Sequence, residues 1–332
     1  MTMPDEYTAQ QHDHDEAEQA EDALHGRPFE LAAVRSRGLL PDLVRDKLGF
    51  ASLIFLVLLV GSAIFGPMLR HTDPNTSDLS NSMASPVWHG GTWTHPLGTD
   101  WQGYDILARL LSGARTSLTI GVLVVLFAGT FGVLVGLLSG YRGGRVDRWL
   151  MGWVDVQVSF PGLLLAMLLI ALVGGSITTI TLILAVNGWM VYARMTRGVV
   201  LSIRERPFVE AAEIIGCKPK RVVFTHILPN LFTPVATLGV LEFARIILAE
   251  AALSFLGVGI QYPQISWGLD ISRAGDHELF GNQWLIIYPG LLLSLTVLAV
   301  NLFSSWLRVA LDPLEREKKH AAMTIGNTKG AL

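Results

Sequence analysis

The sequence contains one cysteine, Cys217, in 332 residues. It can therefore form no disulfide within the chain and no Cys-x-x-Cys metal cluster. Charge is scarce too. Asp, Glu, Lys and Arg together make 16% of the chain, against about 25% in an average soluble domain. No Gly-x-x-x-x-Gly-Lys-Ser/Thr segment occurs, so ATP hydrolysis on a phosphate loop is excluded for this chain. His-Glu-x-x-His and Gly-x-Ser-x-Gly are also missing, which removes the usual signatures of zinc and serine hydrolases. The reading is of a protein that is not an enzyme.

What the sequence has instead is apolar length. Hydrophobic residues make 51% of the chain, and the mean hydropathy is +0.44. They fall in long blocks without period-2 alternation. A helix needs about 20 mostly apolar residues to cross the hydrocarbon core. Six blocks qualify: 48–69, 117–140, 149–173, 177–199, 232–256 and 284–307. The expected fold class is an all-α membrane protein with six transmembrane helices. Only Gly174-Gly175-Ser176 separates the third and fourth blocks, which implies a tight external hairpin. The first block lies behind an acidic tail, with no signal peptide in view, and is long enough to remain as an anchor.

The formal charge of −3 hides an asymmetry. Residues 1–26 carry eight acids and no Lys or Arg, leaving 20 acids against 25 bases in the rest. With the N-terminus placed inside, 20 of the 25 bases fall on the inner side. Only Arg70, Arg109, Arg115 and Arg273 fall outside, and Arg245 lies within a span. That bias predicts both termini in the cytoplasm. It explains the bases by the membrane, with no nucleic-acid partner required.

The domain plan follows. Residues 1–40 form an acidic, disordered cytoplasmic tail, too poor in apolar residues to fold. His12 and His14 within it belong to a solvated segment. Residues 41–315 form the membrane domain, with external loops at about 70–115 and 257–283, and 316–332 form a second cytoplasmic tail. In the first external loop Ile106, Leu107, Leu110 and Leu111 recur at helical spacing, which predicts a short amphipathic helix at the outer surface.

The loop at about 200–231 is the most informative segment. Pro207 suits a first helical turn and Gly216 a helix end. Pro219 suits the start of a second helix and Pro229 its end. A structured loop of this length between two spans is unusual and suggests a docking device for a cytoplasmic partner.

The spacing Glu210-Ala211-Ala212, then Gly216, then Leu228-Pro229, resembles the coupling motif of bacterial ABC importer permeases. His226-Ile227-Leu228-Pro229-Asn230 looks like the variant of the peptide/nickel class. Further stretches agree in order: His95-Pro96-Leu97-Gly98-Thr99-Asp100 with Gly103 and Asp105, Ser159-Phe160-Pro161, Glu250 to Gly257, Ser266-Trp267-Gly268, and Leu311-Asp312-Pro313. The resemblance runs from about residue 40 to 315 and is to the second, C-type permease of dipeptide and oligopeptide importers. Tyr104 and Ala108 stand where that outer signature usually has Arg and Ser, and Ser305 and Val309 stand where acids are usual.

The resemblance implies a type I importer permease in the bacterial cytoplasmic (inner) membrane. It implies a second, B-type permease, two cytoplasmic ATPases and an external peptide-binding protein as partners. ATP and Mg would be bound by the ATPases, with no cofactor in this chain. Glu210, Ala211, Ala212, Gly216, Leu228 and Pro229 would form the coupling device. Substrate would pass between the two permeases by alternating access. Peptides lead as cargo, with nickel complexes, glutathione and haem-like molecules as alternatives within the same architecture. The spans hold no His or Cys cluster of the kind a nickel site needs. An autonomous channel or carrier would not need the docking loop.

Polar residues inside the bilayer are costly and mark candidate sites. Glu242, Arg245 and Glu250 in the fifth span are translocation-path candidates, with Glu242 and Arg245 also spaced to pair on one helix face. Asn187 and Asn301 are expected to hydrogen-bond between helices. Gly132, Gly136 and Gly140 make a smooth stripe for close helix packing. Pro161 is expected to kink or open the third span. Trp101 and Tyr104 are candidates for contact with the binding protein, or for anchoring at the interface.

Overall fold

In a computed structural model the described residues are 42–44, 46–69, 73–275 and 283–311. The acidic tail, Asp312-Pro313 and the C-terminal tail lie outside them. The chain divides into two units, Met1–Asp42 and Leu43–Leu332, and every element named below belongs to the second.

The elements are helices: α1 Lys47–Leu69, α2 Ile106–Arg142, α3 Gly144–Val158, α4 Gly162–Val173, α5 Ile177–Arg204, α6 Pro207–Ile214, α7 Pro219–Val222, α8 Leu228–Phe255, α9 Trp267–Gly275 and α10 Trp284–Leu311. Among the described residues five helices are long and apolar enough to cross a membrane, with α7 continuing into α8 as one of them; a sixth span exists if α3 and α4 count as one broken crossing. The expected third span is not a straight helix. It breaks at Ser159-Phe160-Pro161, and its halves are bent by 79°. Pro161 has no N–H to continue the ladder, so the chain turns there and restarts.

The expected short amphipathic helix of the outer loop does not exist as a separate element. Its residues form the first turns of α2, which is 37 residues long, or roughly 55 Å at 1.5 Å per residue. No Pro interrupts it, and the glycine in this stretch, Gly113, packs on Trp267. Ile106 and Leu110 are buried beside Trp267 and Leu285, so their periodicity marks a protein face.

Within lipid the hydrophobic effect gives little drive for helix pairing, so close packing and polar links must hold the bundle. The glycine stripe supplies the packing. A Cβ at Gly132 would stand 2.3 Å from the Trp189 carbonyl oxygen, and one at Gly136 would stand 2.4 Å from that of Ala193. α2 and α5 therefore touch backbone to backbone. Arg197 on α5 then grips Asp147 on α3 with Nε and Nη2 at 2.6 and 2.7 Å, and Ser139 of α2 donates to the same carboxylate at 2.5 Å. Asn187 and Asn301 do not bridge helices as expected. Each donates to the carbonyl four residues back on its own helix, at 2.9 and 2.8 Å, the nearest acceptor that a short amide side chain reaches.

Pro229 does not end the second helix of the loop. A π-helical turn, Val223–Ile227, carries α7 straight into α8, and the Leu228 N–H donates to Val223 five residues back. The wider turn absorbs the missing proline N–H without a break. Asn230 Nδ2 donates to the His226 carbonyl at 2.7 Å.

Candidate functional site

At one end of the bundle α6 packs on the end of α5 and on α7. Pro207 opens it with no N–H to satisfy, and Glu210 sits in its first turn, where the helix dipole favours an acid. Val209 is buried in a cluster with Val200, Ile203, Val222, Ile227 and Leu231, and Ala212 is buried as well. These two residues nail one face of α6 to the bundle. The opposite face stays open: Glu210, Ala211 and Glu213 are exposed. Ile214 and Ile215 at the helix end are 86% and 82% exposed.

Gly216 terminates α6 with φ of +85°. Its N–H donates to Glu213 and that of Cys217 to Ala212, both at 3.0 Å, a Schellman closure. A Cβ there would meet nothing within 4 Å, so the glycine is required by conformation and not by space. Phe208 faces His226 with ring centroids 6.2 Å apart, and Phe224 is 66% exposed. Leu228 is half-buried at the base of the patch and Pro229 is exposed. Of the loop residues expected to couple, Glu210, Ala211, Gly216 and Pro229 are exposed, Leu228 is half-buried and Ala212 is buried.

The three path candidates do not form one cluster. Glu242 is buried, with Arg245 Nε 3.1 Å from its Oε2, while the Arg245 side chain is 60% exposed. The pair is an ion pair by distance without hydrogen-bond alignment, because Oε2 gains no bonded donor. Glu250 lies two turns further along α8, roughly 12 Å away. It is fully buried and accepts from Ser117 of α2 at 2.9 Å and Ser254 at 2.8 Å. Ser254 accepts in turn from the Ile260 N–H at 3.0 Å. Glu250 is a knot between α2, α8 and the loop that follows.

At the far end the outer signature folds into a cap over α2. Thr99 donates to the Asn81 carbonyl and accepts from the Ala84 N–H. Asp100 Oδ1 accepts the N–H groups of Gln102 and Tyr104, both at 2.9 Å. Burial pushes the Asp100 carboxyl above its usual range, against the pull of those hydrogen bonds. Asp105 caps α2 by accepting from the Ala108 N–H at 2.8 Å and holds His95 Nδ1 at 2.8 Å. Gly103 has φ of +77°, and a Cβ on it would stand 1.9 Å from the Asp78 carbonyl oxygen. Tyr104 is buried beneath Arg109, 5.2 Å from its ring centroid, and Trp101 lies half-buried under Arg273 at 5.7 Å. Tyr104 therefore presents no surface to a partner, whereas Trp88 and Trp93 are 60% and 81% exposed on the same cap.

Sequence reasoning passed over the links that fasten this cap. Arg109 reaches Asp270 on α9 with Nε at 2.9 Å and Nη2 at 2.5 Å. Arg273 reaches Gln102 at 2.7 Å, and Trp267 Nε1 donates to the Leu110 carbonyl at 3.0 Å. The available signal was the pair of arginines on the base-poor side. Among the described residues no group of three or more His, Cys, Asp or Glu side chains is placed to hold a metal ion.

Comparison with known families resolves what such a bundle is. Residues 132–317 match the family described as binding-protein-dependent transport system inner membrane component. The chain belongs to that family. Residues 40–86 match a second family model, the N-terminal transmembrane domain of oligopeptide transport permease C. This permease is 36% identical over 269 residues to the di/tripeptide transport system permease protein DppC of Pseudomonas aeruginosa, covering 81% of this chain and 88% of that one. It is 35% identical over 272 residues to the oligopeptide transport system permease protein OppC of Haemophilus influenzae, covering 82% and 86%. A probable D,D-dipeptide transport system permease protein DdpC of Escherichia coli is 33% identical over 287 residues, covering 86% and 94%. The permease is thus a multi-pass membrane protein with the type I importer permease fold, and the expected family is the observed one.

Proposed function

We propose that this permease is one half of the membrane channel of an ATP-binding-cassette importer for di- and oligopeptides, driven by partner ATPases through α6. The exposed ledge of Glu210, Ala211, Ile214 and Ile215 carries the proposal. Two isoleucines more than four-fifths exposed on a loop outside the spans are costly unless a partner covers them. Small Ala211 lets that partner approach the helix backbone. Val209 is buried in one cluster with Val200 and Ile203 of α5 and Leu231 of α8, so a push on α6 would reach the spans as a lever.

The assembly comprises this chain, a B-type permease, two ATPases that hold ATP and Mg, and an extracytoplasmic peptide-binding protein. The cargo assignment rests on relatives named for dipeptide and oligopeptide transport. The distribution of Lys and Arg supports cytoplasmic termini and a cytoplasmic α6. Glu242 and Arg245 are proposed to face the path, where a wet cavity would accept the exposed guanidinium.

Purification from membranes in mild detergent, with mass identification of every bound subunit, tests the assembly. Recovery of a second permease and two ATPases, with ATP-dependent peptide uptake by the reconstituted complex, is expected. A chain recovered alone and transporting without ATP would overturn the reading. Uptake of a nickel complex, glutathione or haem in place of peptides would overturn the cargo alone.

A further inference from the structure

α3 has two faces of different chemistry. Asp147, Met151 and Val154 point into the bundle, where Asp147 meets Arg197 and Val154 is buried beside Met190 and Ala193. Residues 145, 148, 149, 152, 153 and 156 share the opposite side at helical spacing, and all are exposed. Trp149 and Trp153 are 66% and 60% exposed, with ring centroids 6.2 Å apart. Gly152 beside them has nothing within 4 Å of a Cβ position, so the surface there is open.

The exposed chemistry changes along the axis in a fixed order. Arg142, the last residue of α2, and Arg145 and Arg148 on α3 come first, exposed and in no ion pair among the described residues. The tryptophan pair follows. Val156, Val158 and Phe160 come last, 61%, 43% and 56% exposed. Guanidinium, then indole, then aliphatic and phenyl is the order of headgroup, interface and hydrocarbon in one leaflet. The arginines lie at the end of the bundle that bears α6, since Arg204, just before α6, donates to the Tyr141 carbonyl at 3.3 Å.

We propose that this face of α3 is a binding site for an anionic phospholipid, whose headgroup sits on Arg142, Arg145 and Arg148 and whose acyl chain runs over Trp149, Gly152, Trp153 and Val156. Charge complementarity selects the occupant. Three guanidinium groups in no ion pair among the described residues suit phosphate oxygens at a headgroup level, and the open surface at Gly152 leaves room for a flexible chain. The bound lipid covers the outer side of α3, while Asp147 on the inner side pairs with Arg197 and the exposed Asp155 pairs with Arg194.

The test uses the full-length chain with its co-purifying subunits, transferred to nanodiscs of phosphatidylcholine with or without phosphatidylglycerol. With a photoreactive benzoylphenylalanine in place of Gly152, irradiation is expected to give lipid adducts; adducts to a second permease chain would overturn the proposal. Native mass spectrometry then compares retained phosphatidylglycerol in the Arg145→Gln/Arg148→Gln variant and in a Lys218→Gln/Lys220→Gln control. Loss of two charges at the surface is expected to lower retention by about an order of magnitude in the first and leave it unchanged in the second. Equal retention in both, or equal retention of phosphatidylcholine and phosphatidylglycerol by the unmodified chain, would overturn it.

Discussion

Arg197 grips both carboxylate oxygens of Asp147 from 50 residues away, at 2.6 and 2.7 Å, and so ties the first turn of α3 to α5. The fork needs a planar guanidinium. Asp147→Asn is expected to destabilise the detergent-purified chain by roughly 1–2 kcal/mol, less than a fully buried pair would cost because both groups retain some solvent. Arg197→Lys is expected to recover little of the grip. Thermal unfolding of the two variants checks both statements, and full rescue by lysine would show that charge alone suffices.

Gly136→Val places a branched side chain where a Cβ already stands 2.4 Å from the Ala193 carbonyl oxygen. The neighbour is backbone and cannot swing away, so α2 and α5 must separate. The expected loss is at the upper end of the roughly 1–3 kcal/mol typical of overpacking, read as lower folded yield and melting temperature. Gly198→Ala on α5, with nothing within 4 Å, is the control and should be neutral or better.

Gly103→Ala should loosen the outer cap without disturbing the spans. The added methyl meets the Asp78 carbonyl oxygen, and the backbone there is left-handed. Limited proteolysis between residues 73 and 105 should speed up in this variant while α6 keeps its protection.

The buried carboxyl of Asp100 makes the cap sensitive to pH. Its folded value lies above the unfolded one because burial outweighs the two amide hydrogen bonds. Ionisation therefore costs cap stability at neutral pH, and the cost fades as pH falls through the folded value toward the unfolded one. Asp100→Asn keeps an oxygen for both N–H groups and has no charge to bury. Its cap should show a smaller stability gain on acidification than the unmodified chain, measured by the same proteolysis across pH.

Much of this architecture is written locally and could be read from the chain. The glycine stripe, the helix start at Pro207 and the stop at Gly216 each depend on one residue's own conformational limits. The misreadings share a different cause. The leucines after Asp105 have helical period whether they face lipid or protein, and only the burial of Ile106 and Leu110 against Trp267 decides. Pro229 breaks an α-helix but is absorbed by a π turn, which has no sequence mark. The Arg109–Asp270 link joins residues 161 apart, and nothing near either residue announces the other. The Glu210-to-Gly216 motif was legible in the sequence, yet the exposure of Ile214 and Ile215 needed the fold.

The central claim is that α6 passes force from an ATPase to the spans, and charge reversal at its exposed acid tests it most directly. ATP-driven peptide uptake should be measured in reconstituted Glu210→Lys complexes beside the unmodified transporter, with membrane insertion checked in both. The account predicts normal insertion and loss of ATP-driven uptake, through weakened ATPase binding or through ATP hydrolysis no longer coupled to transport. Unchanged uptake in the variant would contradict it.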